Sequence, residues 1–164
     1  MRCSNVEKMI KNTAPNILVL CIDSKNANDV FGRLYSKFQI EPTVFNSSFD
    51  LMVKMDEFFD RINFPQASLK TRSFNVKPVE AAGARPKEIQ KVADMMEHRG
   101  DLATFVVHVQ YRQNATWQGK IVWTDKKKES TFRSALEMLK LMDEAIGEEP
   151  VNNKPVTDKG EGDA

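Results

Sequence analysis

Apolar residues along this chain follow two rhythms. Residues 17–22, ILVLCI, form a continuous run between polar neighbours and predict a strand buried on both faces. After turn chemistry at 23–29, DSKNAND, residues 31–36, FGRLYS, predict its partner strand. Residues 104–112, TFVVHVQYR, alternate, with Phe105, Val107, Val109 and Tyr111 on one face and Val106 and His108 on the other. Across a turn at 113–118, residues 119–125, GKIVWTD, supply the partner. Helical spacing predicts a short helix through Val6, Met9 and Ile10, a long one from Phe45 to about Ile62, and one through Ile89, Val92, Ala93 and Met96 that starts at Pro86 and stops at Gly100. A last helix carries Phe132, Ala135, Leu136, Leu139, Met142 and Ile146 on one stripe, with Ser130 or Thr131 as its cap.

Two of these stretches say nearly the same thing. Residues 45–59, FNSSFDLMVKMDEFF, overlay residues 132–146, FRSALEMLKLMDEAI, without a gap, matching Phe45/Phe132, Ser47/Ser134, Met55/Met142, Asp56/Asp143 and Glu57/Glu144. Upstream, each is preceded by a turn holding Asn-Ala (Asn26-Ala27 and Asn114-Ala115) and a strand opening glycine, basic, aliphatic (Gly32-Arg33-Leu34 and Gly119-Lys120-Ile121). The expectation is an α+β protein of two related αββα units, residues 1–76 and 87–147, each a short antiparallel hairpin covered by amphipathic helices. An isolated hairpin is marginal in water, so the helices must cover it or the hairpins must complete each other. Residues 77–86, KPVEAAGARP, read as a linker, and 148–164 as a disordered polar tail. Residues 63–75, NFPQASLKTRSFN, fit no simple element and read as an edge strand or an ordered loop.

Composition narrows the partner classes. A formal charge of +1 over 164 residues excludes a chain-wide acidic imitation of DNA and gives no global basic field, so partners must be met through local patches or shape. No apolar stretch approaches the roughly 20 residues of a membrane span, and the first residues lack the order of a signal peptide. The expectation is therefore a cytoplasmic protein without membrane contact. Cys3 and Cys21 make neither a disulfide framework nor a metal cage.

Reaction machinery is missing from the sequence: there is no phosphate-binding loop, dinucleotide fingerprint, nucleophile elbow or zinc motif. His98 ends a helical pattern and His108 lies mid-strand. Asp56-Glu57 and Asp143-Glu144 are adjacent pairs, and neighbouring helical residues diverge by about 100°. The expectation is a non-enzymatic protein with no catalytic residue, metal or cofactor. Candidate partner-binding residues are Arg112, Asn114, Trp117, Gln118, Lys120, Lys126, Lys127 and Lys128 on the second hairpin, with Lys70 and Arg72 in the irregular segment around Phe74. Basic groups among aromatics suit a sheet that tracks a nucleic-acid backbone and stacks bases. The plainer alternative makes Trp123 a core residue and 126–128 an ordinary solvated turn. Trp117, beside the turn, either folds back onto the sheet or anchors a protein partner.

The words RQNATWQGKIVW (112–123) and FRSALEMLKLMDEA (132–145), together with GRLYS and FPQASLKTRSF nearer the start, carry a resemblance. Over most of residues 17–146 the chain resembles a group of small proteins of gut Firmicutes and their mobile elements. Some members of that population inhibit type II CRISPR nucleases, so the resemblance implies an anti-CRISPR protein that docks directly on Cas9 with its guide RNA. It brings no functional motif and assigns no residue a role. A nucleic-acid-binding module built on the second hairpin is the alternative. A local acidic face from Asp56, Glu57, Asp60, Asp143 and Glu144 also stays compatible with the pattern.

Overall fold

The buried run at 17–22 lies at the middle of one antiparallel sheet. A computed structural model of the chain describes residues 5–27, 29–67, 74–75, 85–113 and 116–147, the side chains of residues 5 and 6 excepted. Its strands are β1 (Ile17–Asn26), β2 (Asp29–Ser36), β3 (Gln39–Phe45), β4 (Ala103–Tyr111), β5 (Gln118–Trp123) and β6 (Lys128–Phe132), in the order β3-β2-β1-β4-β5-β6. The helices are α1 (Asn5–Ile10), α2 (Ser48–Ile62), α3 (Val92–Met95) and α4 (Ala135–Gly147). β1 and β4 pair from Ile17 opposite His108 to Ile22 opposite Ala103, which joins the two halves of the chain at the sheet's centre.

Burial explains the arrangement. One face of the sheet presents Leu18, Leu20, Ile22, Leu34, Phe45, Phe105, Val107, Val109, Ile121 and Phe132 to Leu51, Met55, Phe58, Phe59 and Ile62 of α2 and to Met138, Met142 and Ala145 of α4. The other face presents Ile17, Val19, Cys21, Tyr35, Val106 and Val122 to Met9 of α1 and to Val92 and Met95 of α3. Every residue from Ile17 to Ile22 is fully buried because helices cover both faces. Each large apolar side chain so enclosed contributes about 1.5–3 kcal/mol. The α+β class expected from the sequence is what the chain adopts.

The expected units of two strands each need correction: every half contributes three strands, and all six form one sheet. The two strands that the sequence pattern missed, β3 and β6, are the sheet's edges. β3 contains Pro42, tolerable where the missing N–H faces solvent, and β6, KESTF, is short and polar, as edges that resist pairing are. With 128–132 taken into β6, the cap of α4 is Ser134, whose Oγ accepts the Glu137 N–H, and not Ser130 or Thr131. Ser47 does the same for Asp50 at α2. Leu136, assigned to the buried stripe, is 61% exposed, because Met138, Met142 and Ala145 point inward. The helix expected from Pro86 shrinks to α3. Residues before it run along the β2–β3 turn, where the Ile89 and Gln90 N–H groups both donate to the Lys37 carbonyl.

Some pairings recur in the two halves of the sheet. Gly32 faces Phe45 across β2 and β3, and Gly119 faces Phe132 across β5 and β6. The β1–β2 register shifts between Ile22 and Ser24, and the β4–β5 register shifts between Val109 and Tyr111. Lys25, at the end of β1, pairs with Asp143 of α4, while Arg112, just past β4, pairs with Asp56 of α2. Each cation thus reaches the helix of the opposite half.

Candidate functional site

The second of those ion pairs lies beside an open surface cleft. α2 ends on Asn63, whose left-handed conformation (φ 50°) turns the chain out of the helix and into Phe64-Pro65. There the loop meets the end of β4, and Ala67 forms a parallel bridge with Arg112. Arg112 is only 6% exposed. Its Nε donates to the Pro65 carbonyl at 2.7 Å and its Nη1 to Asp60 at 2.8 Å and Asp56 at 3.4 Å, and the guanidinium lies 5.6 Å from the Phe59 ring centroid. Burial, and then the neighbouring Asp60, push the Asp56 carboxyl above the usual carboxylate range, with Arg112 acting the other way. Arg112 is therefore a strut that fixes the loop on the sheet, its charge spent inside the protein.

Outside this strut lies an open cleft of about 660 Å³. Its walls carry four side-chain amides (Asn63, Gln66, Gln110 and Gln113), two aromatic rings (Phe64 and Tyr111) and Arg85. Tyr111 is 54% exposed because the register shift after Val109 lifts it off the covered face. Arg85 donates from Nε to the Ile62 carbonyl at 3.2 Å, near the end of α2, and its guanidinium lies 5.4 Å from the Phe64 ring centroid. No hydrogen bond within the described residues uses its two Nη groups.

The residues singled out from the sequence do not share one patch. Arg112 is internal. Trp117 is half-buried and packs against the core, its ring edge-on to Phe59 at 5.5 Å. Gln118 opens β5 near the cleft. Lys120 lies 3.8 Å from Glu129 across the β5–β6 pairing. Lys126 and Lys127 are exposed in the turn at the other end of β5, and Lys128 begins β6 with its ammonium 5.8 Å from the Trp123 ring centroid. Six residues of strand put that end roughly 17 Å from Gln118. Asn114, Lys70 and Arg72 lie outside the described residues, as do residues 77–84 of the expected linker and the tail at 148–164. The cleft residues Asn63, Gln66, Arg85, Gln110, Tyr111 and Gln113 were not chosen from the sequence. The available signal was the failure of 63–75 to fit an element, since ordered irregular segments are where sites concentrate.

The remaining reactive groups are occupied by structure. His98 stacks on Tyr35 at 4.1 Å, and His108 is held below the usual imidazole range by burial and then by Lys120 and Lys37. Burial pushes the Cys21 thiol up to about 11. Alkylation of Cys21 by iodoacetamide at pH 8 is expected to be negligible in the folded protein and rapid in urea, read by mass spectrometry; fast labelling of the native chain would contradict that burial. Among the described residues, no group of three or more His, Cys, Asp or Glu side chains is placed to hold a metal, and no helix is long and apolar enough to cross a membrane. Comparison with family models, with curated proteins and with solved structures finds no match to this chain.

Proposed function

We propose that the protein is a non-enzymatic binding protein that docks on a protein partner, with the cleft beside Arg112 as its recognition surface. The observation that carries this reading is the cleft's chemistry: four amides, two exposed rings and one available guanidinium beside a loop that the buried Arg112 ties to the sheet. An amide offers a donor and an acceptor side by side, which matches peptide backbone. Rings that are half exposed on a fixed scaffold supply contact area at small entropic cost.

The nucleic-acid alternative has less support. Phosphate tracking needs several free cations in a row, whereas here Arg112 is neutralised, Lys120 is matched by Glu129, and the lysine turn is remote from the exposed rings of the cleft. The resemblance makes guide-loaded Cas9 the first partner to test. The expected result is inhibited target cleavage and a binding constant weakened at least tenfold by the Gln110→Ala, Tyr111→Ala double variant. Neutralising Lys126, Lys127 and Lys128 is expected to leave it unchanged. Undiminished cleavage at large excess across cognate enzymes would remove that nuclease as the partner. Binding that collapses with added salt and with the loss of the three lysines would favour nucleic acid.

A further inference from the structure

The cleft's charge says more about its occupant than its shape does. Of the two arginines there, Arg112 uses Nε on Pro65 and Nη1 on Asp60 and Asp56, and its positive charge is cancelled locally by the two carboxylates. Arg85 is different. Its Nε is used by the Ile62 carbonyl and its guanidinium lies over Phe64, so the side chain is oriented, yet neither Nη group has an acceptor among the described residues. The other polar side chains among the described lining residues are neutral amides and the Tyr111 hydroxyl. A preset guanidinium beside the amides that line the described part of the groove complements one planar anion attached to a chain of peptide groups. A phosphate backbone would present a charge at every step, and among the described lining residues Arg85 alone is a cation with no acidic partner to meet it.

Resting on the protein-docking reading above, we infer that the cleft takes the C-terminal segment of a partner protein: its terminal carboxylate on Arg85, its last backbone groups on the amides, and a side chain against Phe64 and Tyr111. A volume near 660 Å³ is in the range that encloses a small ligand or a few extended residues. The terminal carboxylate is the occupant proposed because a chain end carries its anion directly beside the last backbone groups, and guanidinium and amides line the same cleft.

The test uses the full chain and two pools of short random peptides, identical except that one ends in free carboxylate and the other in carboxamide. Retained peptides are identified by mass spectrometry and their affinities measured singly in both forms. The inference expects enrichment from the acid pool, a loss of about tenfold or more when the same peptide is amidated, and a matching loss in Arg85→Gln. Arg85→Lys is expected to recover part of the affinity, and thermal unfolding should be unchanged in both variants because Arg85 is exposed. Peptides that bind equally as acid and amide, or bind Arg85→Gln as well as wild type, would overturn the carboxylate inference and leave protein docking standing. Enrichment from neither pool would overturn the docking reading of the cleft itself.

Discussion

Replacing Arg112 with alanine is expected to cost about 3 kcal/mol of folding stability, while the same change at Lys25, its counterpart in the other half, should cost less than about 1 kcal/mol. Both residues sit near the end of a central strand and reach an aspartate on the opposite helix. The difference is burial. The Lys25 and Asp143 side chains are 28% and 63% exposed, so solvent already screens them. Arg112 is 6% exposed, donates three hydrogen bonds, and covers the Phe59 ring. Its removal leaves the Pro65 carbonyl without its donor and opens a hole over an aromatic. Because Asp60 is 63% exposed and Asp56 42%, the stranded carboxylates regain water, which keeps the loss below that of a wholly buried pair. Arg112→Lys should recover little, since a point charge cannot span three acceptors held in a fork. Urea unfolding of the full chain reads all three values. Equal losses at Arg112 and Lys25, or an Arg112→Ala loss under about 0.5 kcal/mol, would refute the strut.

Gly32→Ala and Gly119→Ala are each expected to destabilise the fold severely. A Cβ on Gly32 would stand 2.0 Å from the Cys21 carbonyl oxygen and 3.0 Å from the Phe45 ring, and one on Gly119 would stand 2.0 Å from the His108 carbonyl oxygen. The obstacle at each site is backbone of the neighbouring strand, which can yield only by separating β1 from β2 or β4 from β5. Overpacking that side chains cannot relieve costs about 3 kcal/mol or more, a large part of the roughly 5–15 kcal/mol that holds a domain together. Either variant should lose cooperative thermal unfolding or appear only in the insoluble fraction. Gly147→Ala is the control: nothing lies within 4 Å of its added Cβ, and stability should be unchanged or slightly higher. A folded Gly119→Ala protein with wild-type melting would refute the close approach of β4 and β5.

Much of this fold is readable from residue pattern. The fully apolar run at 17–22 announces a strand covered on both sides, and β1 is buried throughout that run. The alternation at 104–109 likewise sorts Phe105, Val107 and Val109 from Val106, and the two helix faces keep them apart in the folded chain. What pattern could not show were the edges, since an edge strand needs neither apolar alternation nor β-branched residues, and β6 has a single buried side chain, Phe132. Nor could pattern show α3 cut short, because its lost turns are displaced by the Lys37 carbonyl and by Gln90 donating to Ser36 and Gln39, contacts that arise only after the sheet has formed. The candidate site was harder still. A cation in a sequence reads as a free charge, and Arg112 became a strut only through residues some fifty positions earlier in the chain. The residues left facing solvent beside it, Gln110, Tyr111 and Gln113, are polar or aromatic types with no periodic signature of their own.

Chemical-shift mapping on ¹⁵N-labelled protein, with peptides retained from the free-carboxylate pool, tests the account where it is most exposed. The account expects saturable shifts centred on Asn63, Gln66, Arg85, Gln110, Tyr111 and Gln113, and little change at the β5–β6 turn. Shifts concentrated at Lys126, Lys127 and Lys128, or a spectrum that stays unmoved at saturating peptide, would contradict it.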